Sequence, residues 1–295
     1  MAFEPPPLHP FAPFTLPAHF AHEKDSHMAN SANELPAIVD SAVKLVRDER
    51  GLALVGDGME LRCDLARMLP RIKPGKLQHE LLVKAAKVKG ATAPRAIDAT
   101  AGFGEDALLL AAAGFDVQLY EADPVIAALL ADGLERAAAN EQLAPLVARM
   151  HLTHGDSVAA LRMLADANCE QPDSEDSATG ELSAIQQPAY LATSEGDANG
   201  APVPTAAPDV IYLDPMFPAR QKSAAVKKKF QLLHHLEAPC ANEEELLLAA
   251  IAANPRKVII KRPIKGPLLA GIKPSYSISG KAVRYDCITP ASIKL

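Results

Sequence analysis

Apolar and polar positions along this chain fall into short runs whose period changes in a regular order. Val43-Lys44-Leu45-Val46, Gly51-Leu52-Ala53-Leu54-Val55 and Met59-Glu60-Leu61-Arg62-Cys63 alternate, and Arg47-Asp48-Glu49-Arg50 and Gly56-Asp57-Gly58 separate them. Period-2 runs between turn residues predict a three-stranded meander. Leu77, Leu81, Leu82, Ala85 and Val88 then recur at helical spacing up to Gly90, a natural C-cap, which predicts a helix over 77–89. From Arg95 onward strand and helix patterns alternate. Strands are predicted to Asp98, over 116–121, over 150–154, up to Asp214 and over 257–261. Helices are predicted over 107–113, 124–139, 158–164 and 242–253. A hairpin of 276–279 with 282–289, turned at Gly280-Lys281, closes the chain. This order predicts an α/β fold with a doubly wound, mostly parallel sheet and a C-terminal antiparallel hairpin.

Two stretches carry no such period. Residues 1–35 run through Pro5-Pro6-Pro7, Pro10, Pro13 and Pro17 with scattered histidines. Residues 166–208 are rich in Ser, Asp, Glu, Gln, Ala and Pro. Neither offers enough apolar surface to offset the entropy of ordering, so a disordered extension (1–35) and an acidic disordered insertion (166–208) are expected. That leaves a small β-rich N-terminal subdomain over 36–90 and a larger domain over 91–295. Net charge is −6, but 1–35 hold four acids and one Lys, and 166–208 hold eight acids with no Lys or Arg; the remainder carries +5. The part expected to fold is therefore mildly basic, which suits a nucleic-acid partner.

The four cysteines, Cys63, Cys169, Cys240 and Cys287, are scattered without a C-x-x-C pair. That spacing argues against a disulfide framework or a zinc site and suits a reducing cytoplasm. His151/His154 and His234-His235 have no Cys or acid at ligand spacing, so no metal site is expected. No apolar run approaches the ~20 residues of a membrane helix, and the N-terminus lacks a signal-peptide pattern. A cytoplasmic protein without a membrane partner is the expectation.

Two stretches concentrate the chemistry. Asp98-Ala99-Thr100-Ala101-Gly102-Phe103-Gly104-Glu105-Asp106-Ala107 joins a strand to a helix, and Gly102-x-Gly104-x-x-Ala107 formally matches a dinucleotide fingerprint. Glu105 and Asp106 would occupy the anion-friendly helix N-terminus themselves, making it a poor pyrophosphate site. Asp98 at the strand end would face an amino group. Both features favour S-adenosylmethionine over NAD. Glu121, ending the next strand, would accept from ribose hydroxyls in either case. Asp156-Ser157 follows the third strand, where adenine commonly lies, although a helix N-cap would look the same. The second stretch is Tyr212-Leu213-Asp214-Pro215-Met216-Phe217-Pro218. Its acid ends a buried strand beside the crevice where α/β sheets hold ligands. A carboxylate followed by Pro and then an aromatic suits an exocyclic amine on a stacked base; a strand-ending Asp in a proline turn is the plain alternative.

These segments, together with Tyr120-Glu121-Ala122-Asp123-Pro124, Gln221-Lys222-Ser223-Ala224-Ala225-Val226-Lys227-Lys228 and Val258-Ile259-Ile260-Lys261-Arg262-Pro263, occur in one order. As a set they closely resemble the small-subunit ribosomal RNA guanine-N2 methyltransferase J family, over roughly residues 40–165 and 209–290. The resemblance implies a Rossmann-type, S-adenosylmethionine-dependent methyltransferase. It implies transfer to N2 of a guanine near the 3′ end of small-subunit (16S) ribosomal RNA. It also implies cofactor contacts at Glu105, Asp106, Glu121, Ala122, Asp156, Ser157 and Asp214, beside the Asp98, Gly102 and Gly104 read from the loop. Ala122 and Glu105 stand where the family commonly has basic residues. The family's glycine- and arginine-rich stretch appears here as Pro74-Gly75-Lys76-Leu77-Gln78-His79-Glu80.

The chemistry expected of the second stretch is positional. Asp214 and the Pro215 carbonyl would accept from the guanine amine, and Phe217 would stack on a base already unstacked or flipped out; a core Phe is the other reading. Arg220, Lys222, Lys227, Lys228 and Lys229, with Lys257, Lys261, Arg262 and Lys265 later, are expected at the rim as a phosphate-binding surface, against a plain solvated lysine run. The partner expected is small-subunit ribosomal RNA or the small subunit itself. Methylation of another amine, in DNA or protein, and a non-catalytic RNA-binding or assembly factor that retains the cofactor fold are the alternatives.

Overall fold

The computed structural model describes residues 35, 36, 38, 42–169, 207–215 and 243–290. β1 (Val43–Asp48), β2 (Gly51–Gly56) and β3 (Met59–Leu61) form the antiparallel meander that the alternation predicts. A three-stranded sheet needs something to cover its apolar face. Here Val43, Leu52, Leu54 and Leu61 pack against Val125, Ile126 and Leu129, and the described residues within 35–295 form one compact unit. Polar contacts add to this seam. Asp132, only 4% exposed, accepts from Arg47 (2.7 Å) and Arg136 (2.8 Å), and the other end of the Arg136 guanidinium donates to the Cys63 carbonyl. Two arginines offset the burial of that carboxylate and keep its pKa below the usual range, although burial alone would raise it.

A short α1 (Leu69–Ile72) follows, in the basic stretch where no helix was expected. The helix expected over 77–89 is broken. A 3-10 turn covers Leu77–His79, Glu80 is extended (φ −62°, ψ 130°), and α2 spans only Leu81–Ala86. Tertiary contacts account for both ends. The Glu80 carboxylate takes a two-pronged bond from Arg71 (2.9 and 2.7 Å), and Lys257 Nζ caps α2 by donating to the Ala85 and Lys87 carbonyls.

The chain continues with β4 (Arg95–Asp98), α3 (Glu105–Ala112), β5 (Asp116–Glu121), α4 (Pro124–Ala138), α5 (Ala144–Val147), β6 (Met150–His154) and α6 (Ser157–Cys169). After the undescribed segment come β7 (Val210–Leu213), α7 (Glu243–Ala252), β8 (Lys257–Pro263), β9 (Tyr276–Ser279) and β10 (Val283–Ile288). The sheet order is β6-β5-β4-β7-β8-β10-β9. The first five strands in that order are parallel, and β10 and β9 pair antiparallel at one edge. α4 begins as expected, with Pro124 in its first turn and Asp123 accepting from the Val125 and Ile126 amides. α6 runs beyond the predicted 164, so residues 166–169 are helical and not part of a disordered insertion; Asn168 donates to the Ala253 carbonyl across to α7. The expectations for residues 1–34 and 170–206 lie outside the described residues.

Both faces of the sheet are buried, and strand parity assigns each side chain to one of them. Val210 and Tyr212 share a core with α2, α3, Ile259, Tyr285 and Cys287. Ile211 and Leu213 share the other with α6, α7, Val258, Ile260 and Ile288. Extending the same parity by one step puts Asp214 and Lys261 on the α3 side, beyond Tyr212 and Ile259. Among the described residues no helix is long and apolar enough to cross a membrane.

Candidate active site

The site gathers at the carboxyl ends of β4, β5, β7 and β8. The turn after β4 is built from backbone bonds: Ala99 N donates to the Tyr212 carbonyl, Ala101 N to the Tyr120 carbonyl, and Gly104 N to the Ala101 carbonyl. Gly102 and Gly104 both have positive φ, +53° and +70°, which explains the first two glycines of the pattern. Their surroundings differ. A Cβ on Gly104 would meet Leu130 Cδ1 at 2.9 Å, so this glycine lets the loop sit on the core. A Cβ on Gly102 would meet nothing within 4 Å and faces open space.

Glu121 holds this loop from the neighbouring strand. Its Oε2 accepts from Gly102 N (2.8 Å) and its Oε1 from Asp123 N (2.9 Å). A carboxylate has about four acceptor positions, so Glu121 retains capacity for a ligand's hydroxyls. Burial raises its pKa, partly countered by those amide donors. Ala122 is exposed immediately beyond it. At the end of β6, Asp156 Oδ1 accepts from Val158 N (2.9 Å) at the start of α6, the helix-cap bond, while Ser157 is buried.

Three carboxylates and one ammonium occupy the centre. Lys261 Nζ donates to Asp106 Oδ2 (2.7 Å) and to Asp214 Oδ2 (2.9 Å). The Tyr212 hydroxyl donates to the same Asp106 oxygen at 2.6 Å, and Asp214 N donates to Thr100 Oγ1 at 2.7 Å. Burial, then the negative charges of Asp106 and Asp214, push the Tyr212 pKa well up, so the hydroxyl keeps its proton. Burial also raises Asp214, with Lys261 opposing it. Burial presses on Lys261 in the other direction, but Asp106 and Asp214 outweigh it and its pKa ends above the ordinary value. Asp98 lies at the bottom of the group, 1% exposed, accepting from Thr100 N at 3.1 Å. Burial pushes its pKa to about 8, with Asp106 and Asp214 contributing. Asp214 is the most open of the three, its side chain 36% exposed beside the 15% of Asp106.

An excess of carboxylates over ammonium, next to an open glycine cradle and a carboxylate with spare acceptor positions, fits a ligand that brings both cationic groups and ribose hydroxyls. S-adenosylmethionine has both. A dinucleotide pyrophosphate would instead meet Glu105 and Asp106 at the N-terminus of α3.

Of the residues expected in the site, Asp98, Gly102, Gly104, Glu105, Asp106, Glu121, Ala122, Asp156, Ser157, Asp214 and the buried Pro215 all lie at this end of the sheet. Phe217, Arg220, Lys222, Lys227, Lys228 and Lys229 lie outside the described residues. Of the later basic residues, Arg262, Lys257 and Lys261 do not stand at the rim where they were expected. Arg262 points to the opposite face, is 1% exposed and donates to the Pro267 carbonyl at 3.0 Å, so it is not available to an RNA phosphate. Lys257 lies at the amino end of β8, away from the site, where it caps α2. Lys261 is not a rim residue but a member of the central group. Tyr212 and Thr100 were not singled out from sequence. Parity along β7 was the available signal for Tyr212, whereas nothing in the sequence marks Thr100.

Residues 61–174 and 176–290 match the family described as "Putative SAM-dependent methyltransferase". A protein named ribosomal RNA small subunit methyltransferase J from Thioalkalivibrio sulfidiphilus is 40% identical over 210 residues, covering 71% of this chain and 68% of that one. The protein of the same name from Pseudomonas syringae pv. tomato is 33% identical over 262 residues, 88% of this chain and 83% of that one. Among solved structures, a SAM-dependent methyltransferase from Neisseria gonorrhoeae is similar with a TM-score of 0.55 and 25% identity, covering 89% of this chain and 87% of that one. Fold, loop and relatives agree, and the chain belongs to the ribosomal RNA small subunit methyltransferase J family of S-adenosylmethionine-dependent methyltransferases.

Proposed function

We propose that this enzyme methylates N2 of a guanine near the 3′ end of small-subunit (16S) ribosomal RNA in the cytoplasm, with Asp214 orienting the amine. The observation that carries the reading is a partly exposed carboxylate at the end of β7, next to the glycine cradle and held by Lys261, in a chain whose relatives bear an rRNA methyltransferase name. Asp98, Gly102, Gly104, Glu105, Asp106, Glu121, Ala122, Asp156, Ser157 and Asp214 would hold the cofactor. When bound, S-adenosylmethionine supplies an electrophilic methyl whose S–C pair leaves on sulfur as the amine's lone pair forms the N–C bond.

The protein's own part is alignment. The guanine amine is a poor nucleophile because its lone pair is delocalised into the ring. Hydrogen bonds from its two N–H groups to Asp214 and to the Pro215 carbonyl would turn that lone pair toward the methyl, and the proton released afterwards passes to solvent. Preorganised acceptors of this kind need no rearrangement at the moment of transfer. Phe217 would stack on the base, and Arg220, Lys222 and Lys227 to Lys229 would contact phosphates.

The test is mass mapping of small-subunit RNA from cells with and without the gene. One methylguanine near the 3′ end should disappear with the gene and return on complementation. An unchanged methylation map would overturn the reading.

A further inference from the structure

We propose that Lys261 is a positioning residue for methyl transfer: its ammonium, bridging Asp106 and Asp214, fixes Asp214 Oδ2 and leaves Oδ1 for the incoming amine. This rests on the reading that Asp214 receives the acceptor.

The geometry carries it. Lys261 lies within β8, and its register partner in β10 is Tyr285, so its Cβ is fixed by a sheet and not by a loop. The side chain is 26% exposed, and the two bonds from Nζ, 2.7 and 2.9 Å, go to carboxylates on α3 and after β7. Asp106 is itself tied by the Tyr212 hydroxyl, so the bridge has one end anchored to the core and the other on Asp214. The Asp214 backbone is held separately through Thr100 Oγ1. One oxygen of Asp214 is thus bound by a cation and its main chain is pinned, which is how a side chain is held to the tolerance that alignment needs.

A lysine in this place also decides the charge of the acceptor. Among the described residues, the charged or titratable groups around Asp214 are Asp98 at the end of β4, Asp106 on α3, Tyr212 on β7, Lys261 and Arg262 on β8, and Tyr285 on β10. Arg71, in the segment before β4, acts on Asp106 and Tyr285 but is committed to Glu80. Of these, Lys261 alone places a cation in hydrogen-bond contact with Asp214. A protonated Asp214 would have one oxygen blocked as an acceptor and would orient the amine less well. Lys261 therefore sets both the direction and the ionisation of the group on which alignment depends.

The experiment compares Lys261→Met, Lys261→Arg and Asp106→Asn with the parent in rRNA methylation at saturating S-adenosylmethionine, as a function of pH. RNA binding against salt and thermal melts are measured on the same proteins. An opposite charge in contact lowers a carboxyl pKa by about 1–3 units, so Lys261→Met should move the acid limb of the rate profile to higher pH by that amount. At a pH within the displaced limb the rate should fall about tenfold or more. Lys261→Arg should restore most of the shift. Asp106→Asn removes a like charge and should move the limb the other way. RNA affinity and its salt slope should be unaltered by Lys261→Met, whereas a phosphate-contacting lysine would lower the slope by about 1.

An acid limb unmoved by both Lys261→Met and Asp106→Asn overturns the role of Lys261, even if rates fall. A reduced salt slope with a fixed limb overturns it in favour of the RNA rim. If Lys261→Met does not fold, the direction of the Asp106→Asn shift decides. A parent enzyme that does not methylate rRNA removes the functional reading and this role with it; an active parent with an indifferent limb removes this role only.

Discussion

The two glycines of the cofactor loop should separate stability from binding. Gly104→Ala would place a methyl 2.9 Å from Leu130 Cδ1 and 3.4 Å from Met150 Cε, in a floor that is already full. The αL backbone at φ +70° costs an L residue about 1–2 kcal/mol. Crowding a packed core adds about 1–3 kcal/mol, so the expected loss is about 2–5 kcal/mol. Against a typical total of about 5–15 kcal/mol that is a severe change. Gly102→Ala has the same backbone penalty at φ +53° but meets nothing within 4 Å, so its cost should stop at about 1–2 kcal/mol. Its methyl would instead stand in the cradle proposed for the cofactor. Urea unfolding measures the first effect and calorimetric titration with S-adenosylmethionine the second. Gly104→Ala should lower the midpoint strongly, and Gly102→Ala should lower affinity strongly with a modest change in midpoint. An unfolding free energy within about 1 kcal/mol of the parent for Gly104→Ala, or unchanged cofactor binding by Gly102→Ala, would contradict this.

Other expectations follow from charge. Burial gives Asp98 a folded pKa of about 8 against an ordinary 3.8, so the free folded protein holds a proton that the unfolded chain releases. Its contribution to stability therefore declines as pH rises through that interval, and Asp98→Asn should raise the melting temperature of the cofactor-free protein more at pH 8 than at pH 5; an equal change at both would contradict it. Reversing Lys227, Lys228 and Lys229 to Glu should weaken RNA binding and flatten its salt dependence with cofactor affinity retained, as filter binding across a salt series would report. Phe217→Ala should weaken RNA binding by about 1–3 kcal/mol in the same assay if the ring stacks on a base.

The sequence was most legible where local period and tertiary burial agree. β5 and β6 fall where their patterns put them, and the closing hairpin was readable because β9 and β10 flank a turn at Gly280-Lys281. The helix expected over 77–89 failed because contacts from outside it compete: Arg71, nine positions back, draws Glu80, and the distant Lys257 takes the carbonyls of α2. α6 was cut short because its apolar positions stop at Leu164, while a polar bond from Asn168 accompanies its last turn. In the candidate site, the backbone was legible: Gly102 and Gly104 take the positive φ that glycine allows, and Asp214 follows β7 where the apolar run stops. Lys261 and Arg262 were not. Two adjacent bases look alike in composition, yet strand parity sends one into the acid cluster and the other beneath the sheet.

The central claim is that Asp214 aligns the acceptor amine, and single-turnover methylation of small-subunit RNA by Asp214→Ala tests it most directly. The rate must be taken at saturating S-adenosylmethionine, since Asp214 also borders the proposed cofactor site, and on protein shown by its melt to be folded. Loss of one preorganised polar partner predicts a fall on the order of 10²–10³ in the saturated rate, with the residual product still methylated at guanine N2. A folded Asp214→Ala enzyme that methylates the RNA at the parental saturated rate would contradict the account.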